Sequence, residues 1–327
     1  MRLVQLFLEG GARRVAVSDG GPLRIIRGVA TTIELGRRAI ADGTGLALTV
    51  EALGFDGTAD WDRELGAGRV LPPADHPEPA RCHVTGTGLT HLGSADARAK
   101  MHATLAAGDL TDSMRMFKLG LEGGKPADGG AGVQPEWFYK GNGLSVVPPG
   151  GALVRPSFAL DGGDEAEICG VYLVGDDGTP WRLGFALGNE FSDHAMERIN
   201  YLYLAHSKLR ACAFGPELLV GGLPGSVRGR VAVVRNGAPV WEREFLSGEE
   251  NMTHTIANLE AHHFKYPFFR RPGDLHVHFF GTGTFSFRDG IAVGDGDVLR
   301  IESEVFGRPL ENPVRFDPAE FVAVRAL

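Results

Sequence analysis

Along most of this chain apolar and polar residues alternate with the short period of strands, and helical spacing is confined to a few stretches. Near the start, Val4-Gln5-Leu6-Phe7 and Arg14-Val15-Ala16-Val17 read as strands. Thr32 to Ala41 reads as a helix capped by Thr31 or Thr32. The segment from Leu71-Pro72-Pro73 through Pro77 and Pro79 cannot sustain regular pairing and reads as a linker. Beyond it, Cys82 to Gly88 reads as a strand running into a glycine turn, Ser94 to Ala107 as a helix, and Glu122 to Gly132 as a flexible loop. Glu167 to Val174 and Trp181 to Leu187, joined at Gly175-Asp176-Asp177-Gly178, form a predicted hairpin. One helix is expected from about Asp193 to Leu204, then strands at Arg228 to Arg235, Leu275 to Phe280 and Val298 to Glu304. The expected fold class is α+β: a small N-terminal α+β domain over 1–78 and a β-rich domain, rolled or barrel-like, over 79–327.

Composition narrows the function classes. Net charge is −8 and basic residues do not cluster, Arg13-Arg14, Arg37-Arg38 and Arg270-Arg271 being isolated pairs, so a nucleic-acid partner is not expected. No stretch approaches the roughly 20 apolar residues that span a bilayer. The start, MRLVQLFLEGG, lacks a signal-peptide pattern, and three scattered cysteines (Cys82, Cys169, Cys212) build neither a disulfide framework nor a CxxC site. A cytoplasmic protein with a small-molecule ligand is the expectation. The 47 glycines show no fixed period and read as turns between strands.

The candidate chemistry lies in carboxylates. Glu165 and Glu167, two residues apart at the entry to a strand, face the same side. Glu190 ends the partner strand and can return to them. Three converging carboxylates repel one another unless a cation lies between them. Oxygen ligands without cysteine select Mg²⁺, Mn²⁺ or Ca²⁺ over Zn²⁺. His276 and His278 share a strand face and mimic a zinc pair, but no third ligand stands at a suitable spacing. His262-His263 reads as helix or loop surface.

The run from Glu165-Ala166-Glu167 through Gly188-Asn189-Glu190-Phe191-Ser192, His206-Ser207-Lys208 and Ala213-Phe214-Gly215-Pro216 resembles the fumarylacetoacetate hydrolase superfamily. So do Trp137-Phe138-Tyr139-Lys140 with Val147-Pro148-Pro149-Gly150, the Thr282-Gly283-Thr284 loop, and the closing segment from Gly296-Asp297-Val298 to Glu311-Asn312. The resemblance covers roughly residues 80 to 320. Gly86-Thr87-Gly88-Leu89-Thr90-His91, Ser94 to Arg98, Gln134-Pro135-Glu136 and Ala205-His206-Ser207-Lys208 resemble its branch of 2-keto-3-deoxy-sugar-acid dehydratases. Two departures stand out. Ser94 to Ala97 lacks the His–Glu dyad with which the superfamily's hydrolases activate water, and Glu190 stands where most relatives carry Asp.

The resemblance implies a homodimeric, Mg²⁺-dependent hydro-lyase that converts 2-dehydro-3-deoxy-L-arabinonate to 2,5-dioxopentanoate, with Glu165, Glu167 and Glu190 as metal ligands. It assigns Glu136 to acid–base work. Lys208 either acts as the base or binds the C2 oxygen. Lys140 either pairs with the ligand carboxylates or binds substrate. Thr284, His91 and His206 become substrate contacts. Cleavage of an acylpyruvate-type 2-oxo acid and non-catalytic binding of a sugar acid are the rival readings.

Overall fold

The computed structural model describes residues 1–93, 110–319 and 322–327. The helix expected from Ser94 to Ala107 lies outside them. Two sheets make the frame. The larger runs through Phe55–Ala59, Leu23–Ile26, Arg13–Ser18, Arg2–Phe7, Leu218–Leu219, Pro180–Asn189, Ala166–Val174, Leu275–Phe279, Cys82–Gly86 and Phe138–Asn142. The smaller orders Ala238–Ser247, Val227–Arg235, Val298–Glu302, Leu310–Phe316 and Leu153–Arg155. Among the described residues neither order closes into a barrel.

Strand Ala166–Val174 is buried along its whole length, with both faces covered. Ile168 packs with Phe185 and Leu187 against Val231, Val233, Leu299 and Ile301 of the smaller sheet. Cys169, Val171 and Leu173 face the other way, with Val277, Phe279 and Leu3, toward Ile33 and Leu35 of helix Thr32–Ala41. That helix has the bounds the pattern predicts, and the Thr31 side chain accepts from the Glu34 N–H at its N-terminus. Strand Arg2–Phe7 pairs with Leu218–Leu219, so the N-terminal strands extend the large sheet.

The hairpin holds, as Ala166–Val174 and Pro180–Asn189 with Ala166 opposite Asn189. Other elements differ. The helix expected over Asp193 to Leu204 breaks into His194–Ile199, a 3₁₀ turn at Tyr201–Tyr203, and Leu204–Lys208. Asn200 is the cause: it is extended, at φ −162°, and its side chain accepts from the Leu202 N–H, so it ends one helix and caps the next turn. The first residues of the predicted Glu122 loop belong instead to a helix, Asp112–Gly123. Of its residues Phe117 and Gly120 are buried. No described helix is long and apolar enough to cross a membrane. The three cysteines are free and buried.

Candidate active site

The hairpin register delivers the three carboxylates to one place. Glu165 and Glu167 enter strand Ala166–Val174, and Glu190 follows directly on strand Pro180–Asn189. The Glu190 N–H donates to the Glu165 carbonyl at 3.0 Å. Asn189 Oδ1 then braces both strands, accepting from the Glu165 N–H and the Phe191 N–H at 3.2 Å each. One carboxylate oxygen from each of Glu165, Glu167 and Glu190 lies within 4.8 Å of the others, and all three residues are buried. This is the one such cluster among the described residues.

Two lysines and a histidine face this negative charge. Lys208, at the end of helix Leu204–Lys208, donates to Glu165 Oε1 at 2.7 Å, Glu190 Oε2 at 2.6 Å and Ser192 Oγ at 3.0 Å. Lys140, fully buried on strand Phe138–Asn142, donates to the carbonyls of Phe191 (2.7 Å) and Lys208 (2.9 Å), and its Nζ lies 2.7 Å from Glu190 Oε1. His194 Nε2 lies 2.8 Å from Glu165 Oε1. The Gly281 N–H donates to Glu167 Oε2 at 2.7 Å, which ties the Gly-Thr loop to the centre.

Charge is distributed unevenly. Burial raises Glu165, but Lys208 and His194 outweigh it and hold its carboxyl well below the usual range. Burial and the repulsion of Glu190 and Glu165 push Glu167 well above it. Burial raises Glu190 to about 7 despite the two lysines. Burial works against a charged His194, yet Asp161 and Glu165 raise it to about 9. Burial likewise opposes charge on Lys208, and Glu165 and Glu190 overcome it, so its ammonium persists well above the usual lysine value. Of the two roles open for Lys208, this arrangement suits a hydrogen-bond donor. Two carboxyls that resist ionisation beside a third that is ionised form an oxygen-only set suited to a hard divalent cation.

Glu136 sits just before strand Phe138–Asn142, and Lys208 Nζ lies 5.0 Å from the centroid of the Phe138 ring. Its Oε1 accepts from the Tyr201 hydroxyl. Its Oε2 occupies the space a side chain at Gly88 would need, 1.9 Å from an ideal Cβ, so the glycine turn is shaped around this carboxyl. Burial raises Glu136 to about 7, with Tyr201 and Lys208 opposing and Glu197 and Glu165 adding to the rise.

The remaining sequence-predicted residues lie differently. Thr284 is half-buried three residues past Gly281, and its Oγ1 donates to the Glu244 carbonyl at 3.4 Å. The ring nitrogens of His91 are both engaged within the protein, with Thr90 Oγ1 at 2.9 Å and Ser247 Oγ at 2.8 Å. Burial lowers its basicity to about 3. His206 is exposed and packs edge-on against Tyr203. His276 and His278 sit with His83 and buried His263 in a stacked aromatic group, apart from the carboxylate cluster. His263 is therefore core, not surface.

Three residues of the site escaped the sequence reading: His194, Asp161 and Tyr201. His194 stands in the Asn189-to-His194 turn beside a predicted ligand, which was the available signal. Asp161 and Tyr201 carried none, because their partners are distant in the chain.

No protein-family model matches the chain, and no curated protein sequence does. Solved structures do. A structure described as 2-keto-3-deoxy-D-arabinonate dehydratase complexed with magnesium and 2,5-dioxopentanoate superposes with a TM-score of 0.71 at 19% identity, over 98% of this chain and all of that one. The 2-hydroxyhepta-2,4-diene-1,7-dioate isomerase of Mycobacterium marinum gives 0.58 at 18% identity, over 98% of this chain and all of that one. The fumarylacetoacetate hydrolase of Exiguobacterium antarcticum gives 0.60 at 15%, over 97% and all of that chain. The chain shares the fold of these enzymes.

Proposed function

We propose that this chain is a metal-dependent hydro-lyase of the fumarylacetoacetate hydrolase superfamily, acting in the cytoplasm to dehydrate 2-dehydro-3-deoxy-L-arabinonate to 2,5-dioxopentanoate in pentose catabolism. The observation that carries the reading is the juxtaposition of three buried carboxylates with Lys208 and, beyond it, a carboxyl at Glu136 raised to about 7.

Glu165, Glu167 and Glu190 would hold Mg²⁺, with Mn²⁺ or Ca²⁺ as substitutes. A divalent cation held there would supply Lewis acidity toward the carbonyl of a 2-oxo acid and so acidify its C3–H. The other tasks fall to the chain. Lys208 donates a hydrogen bond to the C2 oxygen, and Lys140 balances the ligand charge from behind. Glu136 takes the C3 proton as a carboxylate and returns it to the departing C4 hydroxyl, releasing water. A proton shift from C5 to C3 then gives the C4–C5 enol, and transfer of the enol O–H proton to C4 yields the aldehyde. Thr284 and the backbone of its loop hold the substrate carboxylate and His206 is assigned to its hydroxyls, while His91, its ring nitrogens engaged by Thr90 and Ser247, supports the glycine turn. A homodimer belongs to the same reading: Leu144, Phe158, Ile199, Leu202 and Leu209 are exposed apolar side chains that such an interface would cover.

The solved dehydratase is named for the D-configured substrate, so the test uses both forms. Purified protein is given L- and D-2-keto-3-deoxypentonates with Mg²⁺ or EDTA, and 2,5-dioxopentanoate is followed by mass spectrometry. Product from one enantiomer, lost with EDTA, is the expected result. No product from either, with metal bound, would sink the dehydratase reading. Pyruvate release from an acylpyruvate would then favour cleavage chemistry, and binding without turnover a sugar-acid sensor.

A further inference from the structure

One oxygen of the carboxylate centre is claimed twice. Glu165 Oε1 receives Lys208 Nζ at 2.7 Å and has His194 Nε2 at 2.8 Å. A cation that enters among the three carboxylates would share this oxygen with two hydrogen-bond donors, and the more mobile donor is the one free to leave it.

The two donors are held in different ways. Lys208 carries its ammonium on a four-carbon stem; among the described residues its Nζ hydrogen-bonds to Glu165, Glu190 and Ser192, with Glu197 Oε1 at 3.7 Å. His194 is built in. Its ring stacks on Phe285, with centroids 4.7 Å apart and planes 8° from parallel, and lies 5.3 Å from Phe287 on a tilt of 25°. Arg198 lies over the Phe287 ring at 4.3 Å. Its far nitrogen, Nδ1, is 3.5 Å from Asp161 Oδ2. Both of those atoms are buried and neither has a hydrogen-bond partner among the described residues, so each is the natural partner of the other. The backbone makes room for the ring at Gly163, where an ideal Cβ would come within 2.5 Å of Nδ1.

We propose that His194, oriented by Asp161 and clamped by Phe285 and Phe287, is the positioning residue for Glu165: it keeps that carboxylate in place for a divalent cation while Lys208 yields the shared oxygen and turns to the substrate. The arrangement is that of a carboxylate–histidine pair behind a ligand, here acting on a carboxylate ligand. The proposal rests on the reading of Glu165, Glu167 and Glu190 as a metal centre.

Mn²⁺ affinity, read by the loss of the free-ion paramagnetic resonance signal in the full chain, tests it without reference to turnover. His194→Phe keeps an aromatic ring between the two phenylalanines and removes the donor. It should weaken Mn²⁺ binding about 10–100-fold, with the melting temperature in EDTA close to that of the native chain. His194→Gln restores a donor near the Nε2 position and should recover affinity to within about fivefold of native. Asp161→Asn should fall between the two. A folded His194→Phe that binds Mn²⁺ as tightly as the native chain overturns the proposal, as does a Gln variant no better than Phe. If His194→Phe does not fold, native affinity in Asp161→Asn overturns it instead. Should the native chain bind no Mn²⁺, the metal-centre reading itself is lost and this inference with it.

Discussion

Two buried groups of titratable side chains lie on the large sheet, and they are built on opposite principles. In the carboxylate centre, unlike charges converge: Glu165, Glu167 and Glu190 share Lys140, Lys208 and His194 over hydrogen-bond distances. In the imidazole group, His83, His263, His276 and His278 stack on one another and on Phe269. Burial, reinforced by the neighbouring imidazoles, lowers His263 and His276 well below the usual histidine value and His278 to about 3. Those rings are neutral and packed, so the group behaves as core with a few polar contacts, such as His263 Nε2 to His276 Nδ1 at 3.0 Å and Thr85 Oγ1 to His278 Nδ1 at 2.8 Å. Titratable residues underground are thus not all sites. Like charges driven together mark chemistry, whereas neutral rings packed against one another mark scaffold.

The comparison makes opposed predictions for stability and function. The largest effect is expected at Glu167→Gln. Turnover should fall by about a thousandfold, the equivalent of about 4 kcal/mol of lost charge stabilisation. The melting temperature in EDTA should stay level or rise, because a neutral amide replaces a carboxyl repelled by Glu190 and Glu165 while still accepting from the Gly281 N–H. Marked destabilisation in EDTA would instead make this cluster scaffold too.

Next comes Glu136, where Gln should lower turnover roughly 10²–10⁴-fold. In the native chain the rate should climb as pH rises through about 7, since the carboxylate takes the proton; that limb should vanish in the variant. Stability runs the other way at this residue. A carboxyl raised from 4.5 to about 7 favours the folded state at low pH, and that contribution is lost as pH climbs through about 7. Tyr201, Lys208, Glu197 and Glu165 are the groups that face it. A flat native profile across this range would remove Glu136 from the acid–base role.

The smallest effect belongs to the imidazole group and concerns stability alone. Neutral in the fold and near 6.5 when unfolded, His263, His276 and His278 support the folded state above about pH 6.5. That support is lost as pH falls, by up to about 1.4 kcal/mol per pH unit for each ring. His278→Asn keeps an acceptor for Thr85 and removes one titrating ring. Its stability should therefore decline less steeply between pH 6.5 and 4 in denaturant titrations, with Mn²⁺ affinity unchanged. His263 and His276, lowered by burial in the same way, retain the remaining slope. An unaltered slope would show that His278 does not titrate on unfolding.

Much of this was readable before any fold was known, for local reasons. Thr31 ahead of an amphipathic run sets the first helix, and four turn residues between two apolar runs set the hairpin. Because side chains on a strand alternate, spacing by two put Glu165 and Glu167 on one side, and the hairpin brought Glu190 back to them. The order of motifs pointed to the fold that the solved structures share. Helix Ile256–Phe264 and strand Ala238–Ser247 were not anticipated, since each is defined by what it covers.

What the sequence determined by itself was therefore residue chemistry and short-range geometry: which carboxylates converge, and which lysine follows them. Tertiary structure decided the environment of each group. It stacked His194 between Phe285 and Phe287, brought Asp161 behind it, set Tyr201 on Glu136, engaged both nitrogens of His91, and turned His263, His276 and His278 into core. The physical reason is that charge state and orientation depend on burial and on neighbours contributed by other strands and helices. Those neighbours stand up to about 190 residues away in the chain, where no local pattern records them.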